Sequence, residues 1–314
     1  MISSYSEFVG MTIVYRQANT KDIDSASKVF AEAIDDLDRK HGFFEGPTNP
    51  FPPNPLYQFM LSKVPDAFWV AEENGVIVGY SISWVRGSLW FLMDLFILPS
   101  HQGKGVGRSL IQKTLECWQD VKITNRALIT LAYNPSSISL YTRFGMYPRE
   151  PLYFAKAPLD VIRKHAEHAS KKIDFQITTN YRKVVGLLRR IDRKVLGFSL
   201  DWHHEFFFEV QRANCLVFEK DGRPAGYAFV RENGRIGPLA VLRESSFEKA
   251  MTSALTYAAD QGADSVLTLL PGSNEQAVSG LLKHGLRITS PMLFMSSRPM
   301  GTRKNYLFYS PGLM

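Results

Sequence analysis

Residues Phe91–Leu110 read FLMDLFILPSHQGKGVGRSL. The apolar first part stops at Pro99, three glycines follow, and the next apolar positions recur with helical spacing. This order predicts a buried strand, a glycine loop and the first turn of a helix. Such a loop turns backbone N–H groups inward at the positive end of a helix, and Lys104 and Arg108 add full charges. The stretch therefore predicts a site for a phosphate or pyrophosphate.

Two common phosphate-binding loops do not fit this stretch. A Walker A loop has four residues between its first glycine and a Gly-Lys pair, whereas three residues separate Gly103 from Gly107, and Arg108 follows. The GxGxxG pattern also fails, because the glycines alternate. The pattern that fits is Q/R-x-x-G-x-G/A, with Gln102, Gly105 and Gly107. With the apolar strand upstream, it resembles the acetyl-coenzyme A signature of the GCN5-related N-acetyltransferases (GNAT).

A second stretch carries the same resemblance. Residues 127–132 predict a strand, and the segment after them is similar to the family pattern N-x-x-A-x-x-[LF]-Y-x-x-x-G-F. The matching positions are Asn134, Leu140, Tyr141 and Gly145, with Ser137 in place of Ala and Met146 in place of Phe. The two motifs stand in the order that the family has. The resemblance covers about residues 12–155.

Composition limits the classes of function. A net charge of +7 and a pI near 9.3 suit an anionic cofactor. No long block of like charge is present, which argues against a nucleic-acid partner. The two cysteines show neither disulfide nor metal-site spacing, which favours a cytoplasmic protein. No stretch has the length of a membrane span, so we expect no membrane partner.

The chain contains an internal repeat. Residues 73–80, with Asn-Gly and Gly-Tyr pairs, recur 147 residues later, and residues 134–145 recur 140 residues later. The second copy lacks the glycine loop, since residues 242–248 read LRESSFE. These features predict an α+β fold of two tandem GNAT-like domains, each a mostly antiparallel central sheet flanked by helices. The predicted parts are a catalytic domain (1–155), a linker (156–174) and a degenerate GNAT-like domain (175–314).

The resemblance implies acetyl-CoA as the cofactor and names its contacts. In this family the fourth strand exposes backbone groups to the pantetheine arm, and the glycine loop holds the pyrophosphate. The implied contacts are Phe96, Ile97, Leu98, Gln102, Gly103, Lys104, Gly105, Val106, Gly107, Arg108, Asn134 and Tyr141. Asn134 has an alternative role, because an asparagine before a helix also caps it.

Two residues are candidate catalysts. Tyr141 is the general acid that the resemblance implies, since a phenol stays protonated at neutral pH; the alternative is an aromatic packing residue. Asp94 is a lone carboxylate inside an apolar strand, where an unpaired charge is costly. It is a candidate base for the amine. The alternative is that it pairs with an arginine or is exposed at a strand end. Glu72 and Glu73, beside a hairpin turn, are expected to be solvated.

Other segments leave their role open. By the resemblance, residues 41–51 are a candidate wall of the acceptor site, and the alternative for this part of the proline-rich loop over 41–57 is a surface loop. His203 and His204 are adjacent and point different ways, so we expect no metal site there. The whole pattern predicts acetyl transfer to a primary amine of a small molecule or peptide by direct attack. The alternative is a non-catalytic acyl-CoA-binding sensor or interaction module.

Overall fold

The computed structural model describes residues 12–49, 54–166, 172–301 and 303–314. The chain forms two compact units, one of Met1–Trp84 with Asp94–Val121 and the other of Val85–Met93 with Lys122–Met314. Each unit contains helices and mainly antiparallel strand pairs, which confirms the predicted α+β fold. None of the helices within the described ranges is both long and apolar enough to cross a bilayer.

The described residues of the first unit form three helices, two whole strands and parts of two others. They are β1 (Val14–Gln17), α1 (Ile23–His41), α2 (Pro55–Lys63), β2 (Phe68–Glu73), most of β3 (Val76–Arg86), the end of β4 (Leu89–Ile97) and α3 (Val106–Glu116). β1, β2 and β3 pair antiparallel in this order. Helix α3 packs on them through Val106 and Leu110, which are buried with Ala71 and Val78.

The hairpin turn expected beside Glu72 and Glu73 is present. The turn between β2 and β3 has φ angles of +52° at Asn74 and +80° at Gly75. Two positive φ angles are typical of a type I′ turn, whose twist matches that of the flanking strands. Asp221 and Gly222 repeat the turn in the second unit, with φ angles of +52° and +68°. The repeat in the sequence is therefore a repeat in backbone conformation.

The loop predicted over residues 41–57 ends earlier than predicted, because α2 begins at Pro55. Proline fits the first position of a helix, where an N–H group would have no intrahelical partner. Asn54 caps the helix by accepting hydrogen bonds from the N–H groups of Leu56 and Tyr57. Residues 50–53 of the predicted loop lie outside the described part of the chain.

The second unit takes in the start of β4 and all later strands. These are β5 (Asn125–Leu131), β6 (Tyr147–Pro158), β7 (Asp174–Thr178), β8 (Asn214–Lys220), β9 (Arg223–Val230), β10 (Ile236–Val241), β11 (Ser265–Pro271), β12 (Arg287–Ser296) and β13 (Tyr306–Leu307). Its helices are α4 (Pro135–Arg143), α5 (Leu159–Ala166), α6 (Tyr181–Val195), α7 (Asp201–Glu205), α8 (Phe247–Asp260) and α9 (Glu275–Lys283). The strand orders are β4-β5-β12-β6-β11 and β13-β10-β9-β8-β7. The predicted linker, 156–174, includes residues 167–171, which lie outside the described ranges.

Strands β6 and β12 are exchanged between the two copies of the repeat. β12 pairs with β5, while β6 pairs with β11. The registers correspond, since Met292 lies opposite Leu131 and, 140 residues away in each strand, Leu152 lies opposite Pro271. β6 and β12 also pair with each other, with Leu152 opposite Met292. Each copy of the sheet is therefore extended by the last strand of the other copy.

The segment after β12 enters the second copy beside β10, the counterpart of β4. Leu307 of β13 lies opposite Leu239 of β10, and Phe308 bridges to Leu269 of β11. Tyr306, Leu307 and Phe308 are fully buried. This segment therefore lies against both β10 and β11.

A buried ion pair fixes this segment to β6. The Arg303 guanidinium lies 2.9 Å from the carboxylate of Glu150, and both side chains are almost fully buried. The same carboxylate accepts hydrogen bonds from the backbone N–H and the hydroxyl of Ser273. The pair therefore joins three separate parts of the second unit.

Replacing Glu150 with Gln should destabilise the protein, because it leaves the Arg303 guanidinium buried without its counter-charge. Breaking a buried pair from one side costs about 3–5 kcal/mol, and we expect E150Q to lower the free energy of unfolding in urea by about this amount. The control is Glu116→Gln at the exposed Lys113–Glu116 pair, which should change little. Equal losses for the two variants would contradict the role given to Glu150.

Candidate functional site

The glycine loop follows β4 in the first unit, as predicted. A short 3₁₀ turn, Pro99–His101, comes after the strand, and Gly103 and Gly105 have φ angles of +76° and +87°. This left-handed region disfavours residues with a side chain. A Cβ atom at either glycine would meet nothing within 4 Å. The backbone conformation, rather than crowding, therefore requires glycine, and the space beside the loop is open.

The loop presents backbone N–H groups at the start of α3. Gly105 precedes the helix and provides no side-chain cap. The first helical hydrogen bond runs from the N–H of Ser109 to the carbonyl of Gly105, so the N–H groups of Val106, Gly107 and Arg108 precede it. These groups lie at the positive end of the helix dipole. The arrangement is one that binds phosphate groups.

The charged and polar side chains of the loop have two different roles. Lys104 and Arg108 are exposed, and neither forms an ion pair with a described residue. Gln102 instead donates a hydrogen bond from Nε2 to the Ile97 carbonyl at 3.0 Å. The glutamine therefore ties the loop to the end of the strand, while the two cations remain available to an anion.

Strand β4 has two edges with different partners. Its parallel pairing with β5 runs from Leu89 opposite Asn125 to Leu92 opposite Leu128, and β4 continues to Ile97. On the other edge, the N–H of Leu98 donates to the Val78 carbonyl at 2.9 Å. Because strand residues alternate, Ile97 directs its N–H and carbonyl away from β3.

Asp94 lies with two tyrosines in the first unit. The hydroxyl of Tyr80 on β3 donates a weak hydrogen bond to Asp94 Oδ2 at 3.5 Å, and the hydroxyls of Tyr57 and Tyr80 share a hydrogen bond. Both tyrosines are buried, whereas Asp94 keeps some accessible surface. No described cation forms an ion pair with Asp94. The predicted arginine partner is therefore absent from the described residues.

Desolvation dominates the electrostatics of this cluster. Burial raises the pKa of Asp94 to about 6, although hydrogen bonds from the Tyr57 and Tyr80 hydroxyls oppose the rise. Burial also raises the pKa of both tyrosines well above the usual value. At neutral pH the cluster therefore consists of an ionised carboxylate and two neutral phenols.

Aromatic rings border the carboxylate. Phe96, two residues from Asp94, points to the same face of β4. Its ring packs edge-on against Phe30 of α1 at a centroid distance of 4.9 Å and lies nearly parallel to the Tyr80 ring at 5.8 Å. Phe30 and Phe96 are half-buried. The face thus combines one partly accessible carboxylate with apolar surface.

The neighbouring carboxylates have other partners. Glu72 pairs with Arg16 at 2.6 Å, and Glu73 lies 3.0 Å from Nε2 of His101. Both are half-buried, so the expectation that they are solvated is wrong. Their partners leave Asp94 as the better candidate for a base.

The remaining predicted residues, Asn134 and Tyr141, lie in the second unit. Asn134 caps α4, because its Oδ1 accepts a hydrogen bond from the Ser137 N–H at 3.1 Å. Asn274 caps α9 in the same way, in the copy without a glycine loop. Capping therefore explains the asparagine in both copies, and its contact with a cofactor stays a prediction. Tyr141 is buried, with 6% of its surface exposed.

Tyr57 and Tyr80 are functional candidates that sequence reasoning missed. The repeat marked Tyr80 and Tyr227 as equivalents without giving them a role. Tyr227 also donates to a carboxylate, Asp192 of α6, at 2.6 Å. The recurring tyrosine was the available signal. Its partners could not be found, because Asp94 and Asp192 occupy unrelated positions in the two copies.

Comparison with known proteins gives a family match over part of the chain. Residues 31–146 match the model of the acetyltransferase (GNAT) family. A thialysine N-epsilon-acetyltransferase of Mus musculus is 24% identical over 141 residues, covering 43% of this chain and 75% of the relative. An uncharacterised N-acetyltransferase of Methanocaldococcus jannaschii is 28% identical over 150 residues, covering 45% of this chain and 84% of the relative.

Solved structures extend the likeness to nearly the whole chain. A putative acetyltransferase from Pyrococcus horikoshii has a TM-score of 0.75 at 16% identity, with 99% of each chain covered. A tandem GNAT protein from the clavulanic acid biosynthesis pathway has a TM-score of 0.60 at 16% identity, covering 93% of this chain and 100% of the other. Residues 31–146 thus form a domain of the GNAT family of N-acetyltransferases.

Proposed function

We propose that the protein transfers an acetyl group from acetyl-CoA to a primary amine of a small molecule or peptide by direct attack. The observation that carries the proposal is that one strand, β4, bears the half-buried Asp94 and leads into the open loop at the start of α3. A proton acceptor and a phosphate-type loop are therefore built on one continuous segment.

The cofactor contacts follow from the loop and the strand edge. We assign the pyrophosphate to the backbone N–H groups of residues 103–108 and to the charges of Lys104 and Arg108. The pantetheine arm is assigned to the main chain of Phe96, Ile97 and Leu98. When bound, acetyl-CoA supplies the acyl group as a thioester. The open space beside the loop glycines supports this assignment.

Asp94 is assigned as the base that receives the proton of the attacking amine. With a pKa of about 6 it is ionised at neutral pH, yet it is more basic than an ordinary carboxylate. The raised pKa of Asp94 lies closer to the pKa of an alkylammonium, which is ~10, so proton transfer from the amine to the carboxylate requires less free energy. Tyr57 and Tyr80 position the carboxylate through their hydroxyl groups. Proton removal as the nitrogen attacks is general base catalysis.

Tyr141 is assigned as the acid for the departing thiolate. A phenol can donate its proton as negative charge develops on sulfur. The support is the position of Tyr141 in the second motif, inside the part of the chain that matches the family model. A buried helical position restrains its ring.

We propose that residues 1–155 form the transferase domain, 156–174 the linker and 175–314 a degenerate tandem copy. In the second copy a short 3₁₀ turn, Glu244–Ser246, replaces the glycine loop. The first residue of α8, Phe247, is fully buried. Glu244 and Glu248 would repel a phosphate at this position. One cofactor per chain follows from this organisation.

The proposed reaction is tested by thiol release from acetyl-CoA with a panel of primary amines. We expect turnover with one class of amine, and Tyr141→Phe should lower kcat by about 100-fold or more without changing the affinity for CoA. Tyr147→Phe, at a half-exposed tyrosine, is the matched control. Binding of CoA without turnover of any amine would instead favour the acyl-CoA-binding sensor.

Gly105→Ala should weaken CoA binding. Alanine at a φ of +87° is strained by roughly 1–2 kcal/mol, and relief of this strain would turn the N–H groups of the loop away from the anion. Gly75→Ala is the matched control, because Gly75 has a φ of +80° and equally open surroundings but lies in the β2–β3 turn. Calorimetry should show a loss of at least tenfold for Gly105→Ala and no loss for Gly75→Ala. Equal affinities would count against the loop assignment.

Asp94→Asn should stabilise the protein at neutral pH. The carboxyl has a higher pKa in the folded protein than the usual 3.8, so the folded state binds the proton more tightly, and stability falls as the pH rises from about 4 to 6. Because Asp94 keeps some exposure, we expect a gain of roughly 1–2 kcal/mol at pH 7.5 that shrinks toward pH 4. Thermal unfolding across this range measures it, with the exposed Glu32→Gln as control. A loss of stability at pH 7.5 would contradict the raised pKa of Asp94.

A further inference from the structure

We infer that the acceptor subsite is formed by Asp94 with the rings of Phe30 and Phe96, and that it takes a primary alkylammonium whose neighbouring carbon carries no carboxylate. The inference rests on the proposed function, because it defines the amine of that reaction. Its basis is the chemistry of one face at the end of β4, over residues 94–97, which lie within the first unit.

The charge at this face is negative and uncompensated. The influences on the pKa of Asp94 are burial and the hydroxyls of Tyr57 and Tyr80, and no described arginine or lysine pairs with it. An ionised group in a half-buried site gains a large share of its stabilisation from an opposite charge. An ammonium group provides this charge and three N–H donors.

The surface next to the carboxylate is apolar. Phe30 and Phe96 meet edge to face at 4.9 Å, and both keep accessible surface. Such rings favour methylene groups and also attract a cation within about 6 Å of the ring centre. The stem that carries the amine is therefore an alkyl group at its first carbons.

A carboxylate on the carbon next to the amine does not fit this face. In an α-amino acid it lies two bonds from the nitrogen, which puts it within about 5 Å of the carboxylate that binds the ammonium. Like charges at this distance repel strongly in a half-buried site. No described cation is paired with Asp94 to neutralise the second charge. The subsite should therefore reject α-amino acids and accept alkylamines or the remote amine of a longer molecule.

Two pairs of amines isolate this effect, since each pair differs by the replacement of a carboxylate with a methyl group. In glycine and ethylamine the replaced group is attached to the carbon that bears the amine. In 6-aminohexanoate and hexylamine five methylene groups separate the replaced group from the nitrogen. Calorimetric binding to the CoA-saturated protein and thiol release from acetyl-CoA are measured for all four. We expect ethylamine to exceed glycine at least tenfold in affinity and in kcat/KM, and the longer pair to differ less than threefold.

Variants connect the preference to the carboxylate. Asp94→Asn should weaken ethylamine binding at least tenfold and reduce the ratio of ethylamine to glycine below three, whereas Glu32→Gln should leave both unchanged. Equal binding of glycine and ethylamine, or no binding of any of the four amines, overturns the inference. Selective amine binding without thiol release supports the subsite and overturns the proposed transfer reaction.

Discussion

Alternation along β4 is the constraint on which the rest of the site depends. Asp94 and Phe96 share one face because they are two residues apart, while the main chain of Ile97 is directed away from β3. A slip of one residue would exchange the faces and separate the carboxylate from the aromatic rings. β3 runs close to this part of β4, since a Cβ atom at Gly79 would lie 3.2 Å from the Phe96 carbonyl and the Leu98 N–H donates to the Val78 carbonyl at 2.9 Å. The register between β3 and β4 therefore determines which side chains share the face of Asp94.

The equivalent tyrosines of the two copies bond carboxylates in different surroundings. Tyr80 and Tyr227 each bond a carboxylate, but Asp192 is fully buried and also lies 3.4 Å from Nε2 of His204. Burial raises the pKa of Asp192 and lowers the pKa of His204. The partners of this carboxylate thus come from within the second unit. Asp94 has no described histidine beside it and keeps some accessible surface. A ligand can therefore supply at Asp94 the polar partner that His204 provides to Asp192 inside the second copy.

The features that the sequence predicted correctly are those that depend on local interactions. The Asn74–Gly75 turn, the Asn134 cap and the glycine loop each depend on neighbouring residues, and the predicted hairpin, helix start and loop are all present. The exchange of β6 and β12 was not predictable, because both copies have the same pattern and either partner strand satisfies it. The hydroxyl contact of Tyr57 with Tyr80 was missed because it is not local: it joins α2 to β3 across 23 residues.

The second copy differs from the first along the edge of this strand. Its counterpart of β4 pairs with β13 at Leu239 and Ala240, and Phe308 bonds onward to β11. The Leu98 N–H donates to the Val78 carbonyl and, in the second copy, the Leu242 N–H donates to the Ala225 carbonyl, so Leu239 corresponds to Leu95, three residues past the end of the β4–β5 ladder at Leu92. In the second copy, the chain itself thus satisfies the strand edge beyond the point where direct pairing stops in the first. Buried side chains thus fill this edge, and Glu244 and Glu248 lie at the start of α8, which is consistent with the proposal that β4 carries the chemistry.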